Sequence, residues 1–156
     1  MEPPARDGLM AARDATNVIF VCEHGSAKSL VASSYFNRLA AVRGLPWRAL
    51  SRGTAPDVSV PGPVREGLAR DGLDVSDFRP QQFVAVEARG AALVVAFDQD
   101  LSASLAGAVP IERWDGLPAL SEDFVVGRDS IRARVEALVT RLAGDCVANA
   151  RAPHCR

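Results

Sequence analysis

The chain has 156 residues, 48% of them hydrophobic and 24% charged, with a formal net charge of -1, a balance that suits one globular domain with its own core. With that charge and only 6% aromatic residues, neither a basic stripe nor a base-stacking platform is available, which excludes nucleic acid as a partner. No apolar run approaches the ~20 residues of a membrane-crossing helix, so no membrane partner is expected.

In chain order, residues 1–16 (MEPPARDGLMAARDAT) contain acids, lack the apolar region of a signal peptide, and read as a disordered leader. Residues 17–22 form a run, β-branched and aromatic with no polar face, that predicts a strand buried on both sides. From Ser29 to about Arg43, Leu30, Val31, Tyr35, Leu39 and Val42 recur at helical spacing, and Gly44 and Pro46 end the helix. Residues 47–54 read as a second strand, 55–63 as a proline-rich loop, and 64–75 as a short helix stopped at Gly72. The stretch 76–88 is ambiguous. Residues 91–97 predict another fully buried strand ending at Asp98, 99–107 a short helix, and 109–114 a fourth strand. After Ser121 as a possible cap, Ile131, Val135, Leu138, Val139 and Leu142 mark a last helix running to Gly144. Residues 145–156 read as a flexible tail. Strands alternating with helices at this spacing predict an α/β fold, a three-layer α/β/α domain over 17–144 with a four-stranded parallel sheet. In such sheets ligands bind at the C-terminal ends of the strands.

The segment VCEHGSAKS (21–29) leaves the first strand at such an end and opens a helix. Unpaired backbone N–H groups and the positive end of the helix dipole converge there, which makes an anion cradle. Cys22 lies at its base, and thiols facing helix N-termini serve as nucleophiles near neutral pH. Gly25 permits the left-handed or close-approach backbone that such a ring needs. Ser29 is placed to donate to the thiolate and Lys28 to neutralise an oxyanion. A two-step displacement further requires a general acid that protonates the leaving oxygen and then activates water. The three cysteines, Cys22, Cys146 and Cys155, are odd in number and form no CxxC pair, which argues against a disulfide scaffold or a metal site and for a reducing, cytoplasmic setting. Two other classes fit the loop. A Walker A overlay matches Lys28 and Ser29 but lacks both glycines, at Cys22 and Ala27; a noncatalytic oxyanion-binding module would need Cys22 only as a small buried hydrophobe.

The loop, together with SRGT (51–54), DGLDVSDFRP (71–80), AALVVAF (91–97) and ERWDGLPALSEDF (112–124), resembles the low-molecular-weight protein tyrosine phosphatases and the related cysteine-dependent arsenate reductases. The resemblance implies a phosphate-monoester hydrolase that forms a cysteinyl-phosphate on Cys22, with Glu23, His24, Gly25, Ser26 and Ala27 as the phosphate-binding loop and no cofactor. The partner is then a phosphorylated substrate or a small oxyanion. Lys28 stands where the family has arginine, so charge survives while the bidentate fork is lost. Arg52 is expected to reach the loop as a partial replacement. Gly25 stands where family phosphatases often have an asparagine bonded to the serine that Ser51 resembles, so that bond is absent. His24 is expected to be a solvated wall residue and not a catalytic one. The family's general acid precedes the last helix, which puts Asp115 first and Asp123 second. The arsenate reductase alternative would draw electrons from an external thiol, or from Cys146 and Cys155 if the tail folds back.

Overall fold

The computed structural model describes residues 16–148. The predicted leader up to residue 15, together with Cys155 and the end of the predicted tail, lies outside the described residues, as does the side chain of Cys146. The elements are β1 (Asn17–Cys22), α1 (Lys28–Val42), β2 (Arg48–Gly53), α2 (Gly62–Arg70), α3 (Ala85–Arg89), β3 (Leu93–Ala96), α4 (Ser102–Leu105), β4 (Ile111–Arg113) and α5 (Phe124–Ala148). The four strands form one parallel sheet in the order β2-β1-β3-β4, the fold class expected from the sequence. β1 therefore has a hydrogen-bonded neighbour on each side, with Cys22 opposite Gly53 and Val21 opposite Ala96.

The period-2 alternation of a strand divides β1 between two cores. Val18, Phe20 and Cys22 face a cluster with α1, α2 and α5, while Ile19 and Val21 face one built with Ala88, Leu101, Leu105 and Val109. Layers of helices thus cover both faces, which is why β1 and β3 show no polar side. On the Cys22 face, Phe20 packs edge-on to Phe36 at 6.0 Å, and Trp114 meets Phe97 at 5.6 Å in a T-shaped pair. These rings fill the floor beneath the cradle. Tyr35 of α1 donates its hydroxyl to Asp71 at the end of α2, and Arg128 of α5 holds the same carboxylate at 3.0 Å.

The limits of two helices differ from expectation, and the ambiguous stretch takes a defined form. α2 begins at Gly62, ahead of the periodic residues, because Pro63 fits the first turn of a helix, where its missing N–H is unneeded. The ambiguous stretch contains α3 and a single bridge from Gln82 to Gly53. α5 passes through Gly144 and ends at Ala148, so residues 145–148 belong to the helix and not to a tail. One glycine costs a helix about 1 kcal/mol, too little to stop 25 residues packed along α1.

Candidate active site

The cradle is held from below and from the side. Beyond the β1–β2 ladder, backbone bonds continue between the two following loops: Thr54 N–H to Cys22 O at 3.2 Å, Ala55 N–H to Glu23 O at 2.7 Å and Asp57 N–H to His24 O at 3.0 Å. Gly25 turns the loop with φ +64°, and its backbone lies so close to Gly53 that a Cβ on Gly25 would meet Gly53 N at 2.8 Å. Glycine is required on both counts. The N–H groups of His24, Ser26, Ala27 and Lys28 find no acceptor among the described residues, the unpaired donor ring that an anion cradle needs.

The Cys22 thiol sits at the base. Gly25 N–H reaches Sγ at 3.2 Å and Ser29 Oγ lies 2.9 Å from it. Ser51 Oγ is 2.7 Å from Ser29 Oγ and 3.3 Å from Gly25 O. Ser29 and Ser51 are both buried. With a thiolate at Cys22, Ser29 donates to sulfur and Ser51 shares its one proton between Ser29 Oγ and the Gly25 carbonyl. The sequence alone shows only that Ser51 lacks an asparagine partner at Gly25. The signal for its role was in the strand alternation, which gives Ser51 and Gly53 one face of β2 and Arg52 the other.

That alternation also corrects the expectation for Arg52. Its guanidinium pairs with Glu87 of α3 through two bonds, at 2.8 and 2.9 Å, and with its own neighbour's carbonyl, Ser51 O, at 2.8 Å. It lies on the α3 side of the sheet and does not line the cavity above Cys22, so it replaces no loop arginine. Lys28 does line that cavity, but its ammonium donates to Asp98 at 2.9 Å and to Leu117 O at 3.0 Å. Asp98 accepts Gly116 N–H at 2.8 Å as well, and its own N–H donates to Asp115 at 3.0 Å. The Gly116 N–H first, and then Lys28, hold the Asp98 carboxyl below its ordinary range. Asp98 has φ +58°, a left-handed backbone uncommon for a residue with a Cβ. Together these bonds form a clasp joining the start of α1, the end of β3 and the loop after β4.

Neither expected general acid comes to the thiol. Asp115 uses one oxygen on Asp98 N–H and pairs the other with Arg113 at 3.0 Å. Asp123 accepts Val126 N–H at 3.2 Å and thereby caps α5, the role expected of Ser121. From this loop the cavity receives Ala119, Leu120 and Ser121 instead.

The cavity has a volume of about 680 Å³. Pro61, Pro63, Val64, Phe97 and Leu120 give it an apolar wall, and Glu23, His24 and Asp57 a polar one. Within the polar wall, Ser26 donates to Asp57 Oδ2 at 2.7 Å and His24 Nδ1 lies 3.1 Å from Asp57 Oδ1. Among the described residues no group of three His, Cys, Asp or Glu is placed to hold a metal ion.

A parallel α/β sheet with a thiol under a ring of free amides, at the C-terminal end of a central strand, defines a cysteine-based oxyanion-binding protein. The family model of the low molecular weight phosphotyrosine protein phosphatases matches residues 17–113, and the chain belongs to that family. No curated protein matches it. Among solved structures it is similar to YfkJ from Bacillus subtilis (TM-score 0.74, 20% identity, 84% of this chain and 96% of that one). It is also similar to the low molecular weight protein tyrosine phosphatase from T. tengcongensis (TM-score 0.66, 23% identity, 81% and 99%). The arsenate reductase from Archaeoglobus fulgidus shares 26% identity (TM-score 0.61, 79% and 98%). No helix among the described residues is long and apolar enough to cross a membrane.

Proposed function

We propose that the chain hydrolyses phosphate monoesters through a cysteinyl-phosphate on Cys22. The observation that supports this most directly is the seat of the thiol: sulfur receives Gly25 N–H and Ser29 Oγ while the remaining loop amides stay free above it. In the first step the Cys22 thiolate attacks phosphorus, the S–P bond forms and the ester P–O bond breaks. The free amides of His24, Ser26, Ala27 and Lys28 hold the equatorial oxygens, which supplies most of the electrostatic stabilisation without a metal or an organic cofactor. Water then attacks phosphorus and returns the thiolate. Lys28 acts at the edge of this cradle through the clasp and contributes positive charge without a bidentate grip. Pro61, Val64, Phe97 and Leu120 favour an ester whose leaving group is flat and apolar, such as an aryl phosphate.

The test is turnover of an aryl phosphate by wild type and Cys22→Ser, with rapid quenching to capture a phosphorylated cysteine. Wild-type turnover with a Cys22-linked phosphate, both lost in C22S, is the expected result. Turnover that survives C22S refutes the mechanism. A tetrahedral arsenate fits the same amides, and the 26% identity to an arsenate reductase favours it as the second reading. Arsenate reduction would draw electrons from an added small thiol or from Cys146 and Cys155, and its assay is turnover with and without added thiol in wild type and in the double variant Cys146→Ser, Cys155→Ser.

A further inference from the structure

Breaking the ester bond of an unactivated phosphate needs a proton for the departing oxygen, and the loop before α5 does not bring one to Cys22. The ionisable groups on the cavity wall besides the thiol are Glu23, His24, Lys28, Asp57 and Asp98. Asp98 is bound to Gly116 N–H and to Lys28, the arrangement of a fixed carboxylate and not of a donor. Asp57 likewise spends its two oxygens, one on Ser26 and one facing His24. Glu23 is the most exposed of the set, with a side chain 70% accessible, and among the described residues its charged neighbour is His24 Nε2 at 3.7 Å.

His24 differs from all of these. Its backbone carbonyl is tied to Asp57 N–H at 3.0 Å and its Nδ1 faces Asp57 Oδ1 at 3.1 Å, so both ends of the residue are fixed to the loop that follows β2. Asp57 is itself steadied by the fully buried Ser26. A carboxylate on Nδ1 keeps the proton there in the neutral ring, and Nε2 is left as the nitrogen that gives and takes a proton. Glu23 lies too far from Nε2 for a hydrogen bond. His24 and Cys22 line the same cavity.

We propose that His24 is the general acid–base residue of this site and Asp57 its positioning residue, a reading that rests on the cysteinyl-phosphate mechanism above. In the first step sulfur attacks phosphorus, the P–O bond breaks, and Nε2–H of the imidazolium protonates the departing oxygen to give a neutral alcohol and a neutral ring. In the second, Nε2 takes a proton from water as its oxygen attacks phosphorus. The S–P bond breaks, thiolate and imidazolium are restored, and inorganic phosphate leaves.

The experiment measures kcat/KM of the full chain for a series of aryl phosphates, from 2,4-dinitrophenyl phosphate, which needs no acid, to phenyl phosphate, which does. The variants are His24→Gln, Asp57→Asn, Asp115→Asn and Cys22→Ser. His24 is half exposed, so H24Q is expected to fold. The expected loss in H24Q is about 100- to 10,000-fold on phenyl phosphate and slight on the dinitrophenyl ester, so the dependence on leaving-group pKa steepens. D57N steepens it in the same direction by less, an effect that loss of fold stability alone would not produce. D115N leaves the slope unchanged. An unchanged slope in H24Q, or a slope that steepens in D115N, overturns the assignment of His24 while the thiol mechanism stands. Absence of Cys22-dependent turnover on every ester overturns both.

Discussion

Replacing Gly53 with alanine places one methyl group where the two halves of the cradle touch. Its Cβ would lie 2.7 Å from Gly25 N, 2.8 Å from the His24 carbonyl carbon and 2.9 Å from Glu23 O. All three are backbone atoms, so no side chain can rotate aside. Gly53 lies in β2, where alanine's own backbone preferences are met, and the whole effect therefore falls on the neighbouring loop. Restoring ordinary contacts moves that loop by roughly 0.7 Å, and overpacking of this kind costs about 1–3 kcal/mol. A displacement near 1 Å at reacting groups lowers rates by up to ~100-fold. The loop amides would hold the equatorial oxygens while the thiol attacks along the axis, so a shift of one against the other is felt in the transition state. G53A is expected to fold with a lower urea midpoint and to lose about 10- to 100-fold in kcat/KM on an aryl phosphate. Steady-state kinetics and equilibrium unfolding of the same preparation measure both. A G53A protein with wild-type midpoint and wild-type kcat/KM refutes the idea that backbone contact fixes the cradle.

Two further predictions concern the polar groups around the thiol. Ser29→Ala removes the hydroxyl 2.9 Å from sulfur, and a charge-assisted bond of that kind contributes about 1.5–3 kcal/mol, so the phosphorylation step slows by about 10- to 100-fold in stopped-flow bursts. Asp98→Asn tests the clasp. The Gly116 N–H and then Lys28 hold the folded carboxyl below the ordinary aspartate range, so its contribution is present above that range and is lost as pH falls through the lower folded value. Urea midpoints of wild type and D98N should differ at pH 7 and converge in acid; a constant difference across that range counts against the clasp.

The sheet and the cradle were legible because both are written in local pattern. The buried runs at 17–22 and 91–97 admit only a strand covered on both sides, and a glycine three residues after a cysteine at a strand end leaves few other uses for the loop. What escaped was direction across the fold. Arg52 is expected at the loop as a partial replacement for the arginine whose place Lys28 takes, yet one step along a strand reverses the face, and Glu87, on the far side, holds it. Asp115 ranks ahead of Asp123 as the expected acid, and only the turn at Gly116 and the start of α5 decide that the first serves Asp98 and Arg113 and the second a helix end. Lys28 matched a cation position, but its partners, Asp98 and Leu117, are distant in sequence. His24 stands on the cavity wall and is solvated, as expected, and what the sequence does not carry is Asp57 folded against its Nδ1.

The position of β1 has a thermodynamic consequence. Its hydrogen bonds on both sides tie Cys22, and through Gly53 the loop amides, to the part of the molecule that opens last on unfolding. The apolar side chains that would choose a substrate, Pro61, Pro63, Val64 and Leu120, lie outside the sheet. As temperature rises toward the melting point, discrimination among esters should therefore blur before the ability to bind a bare oxyanion is lost.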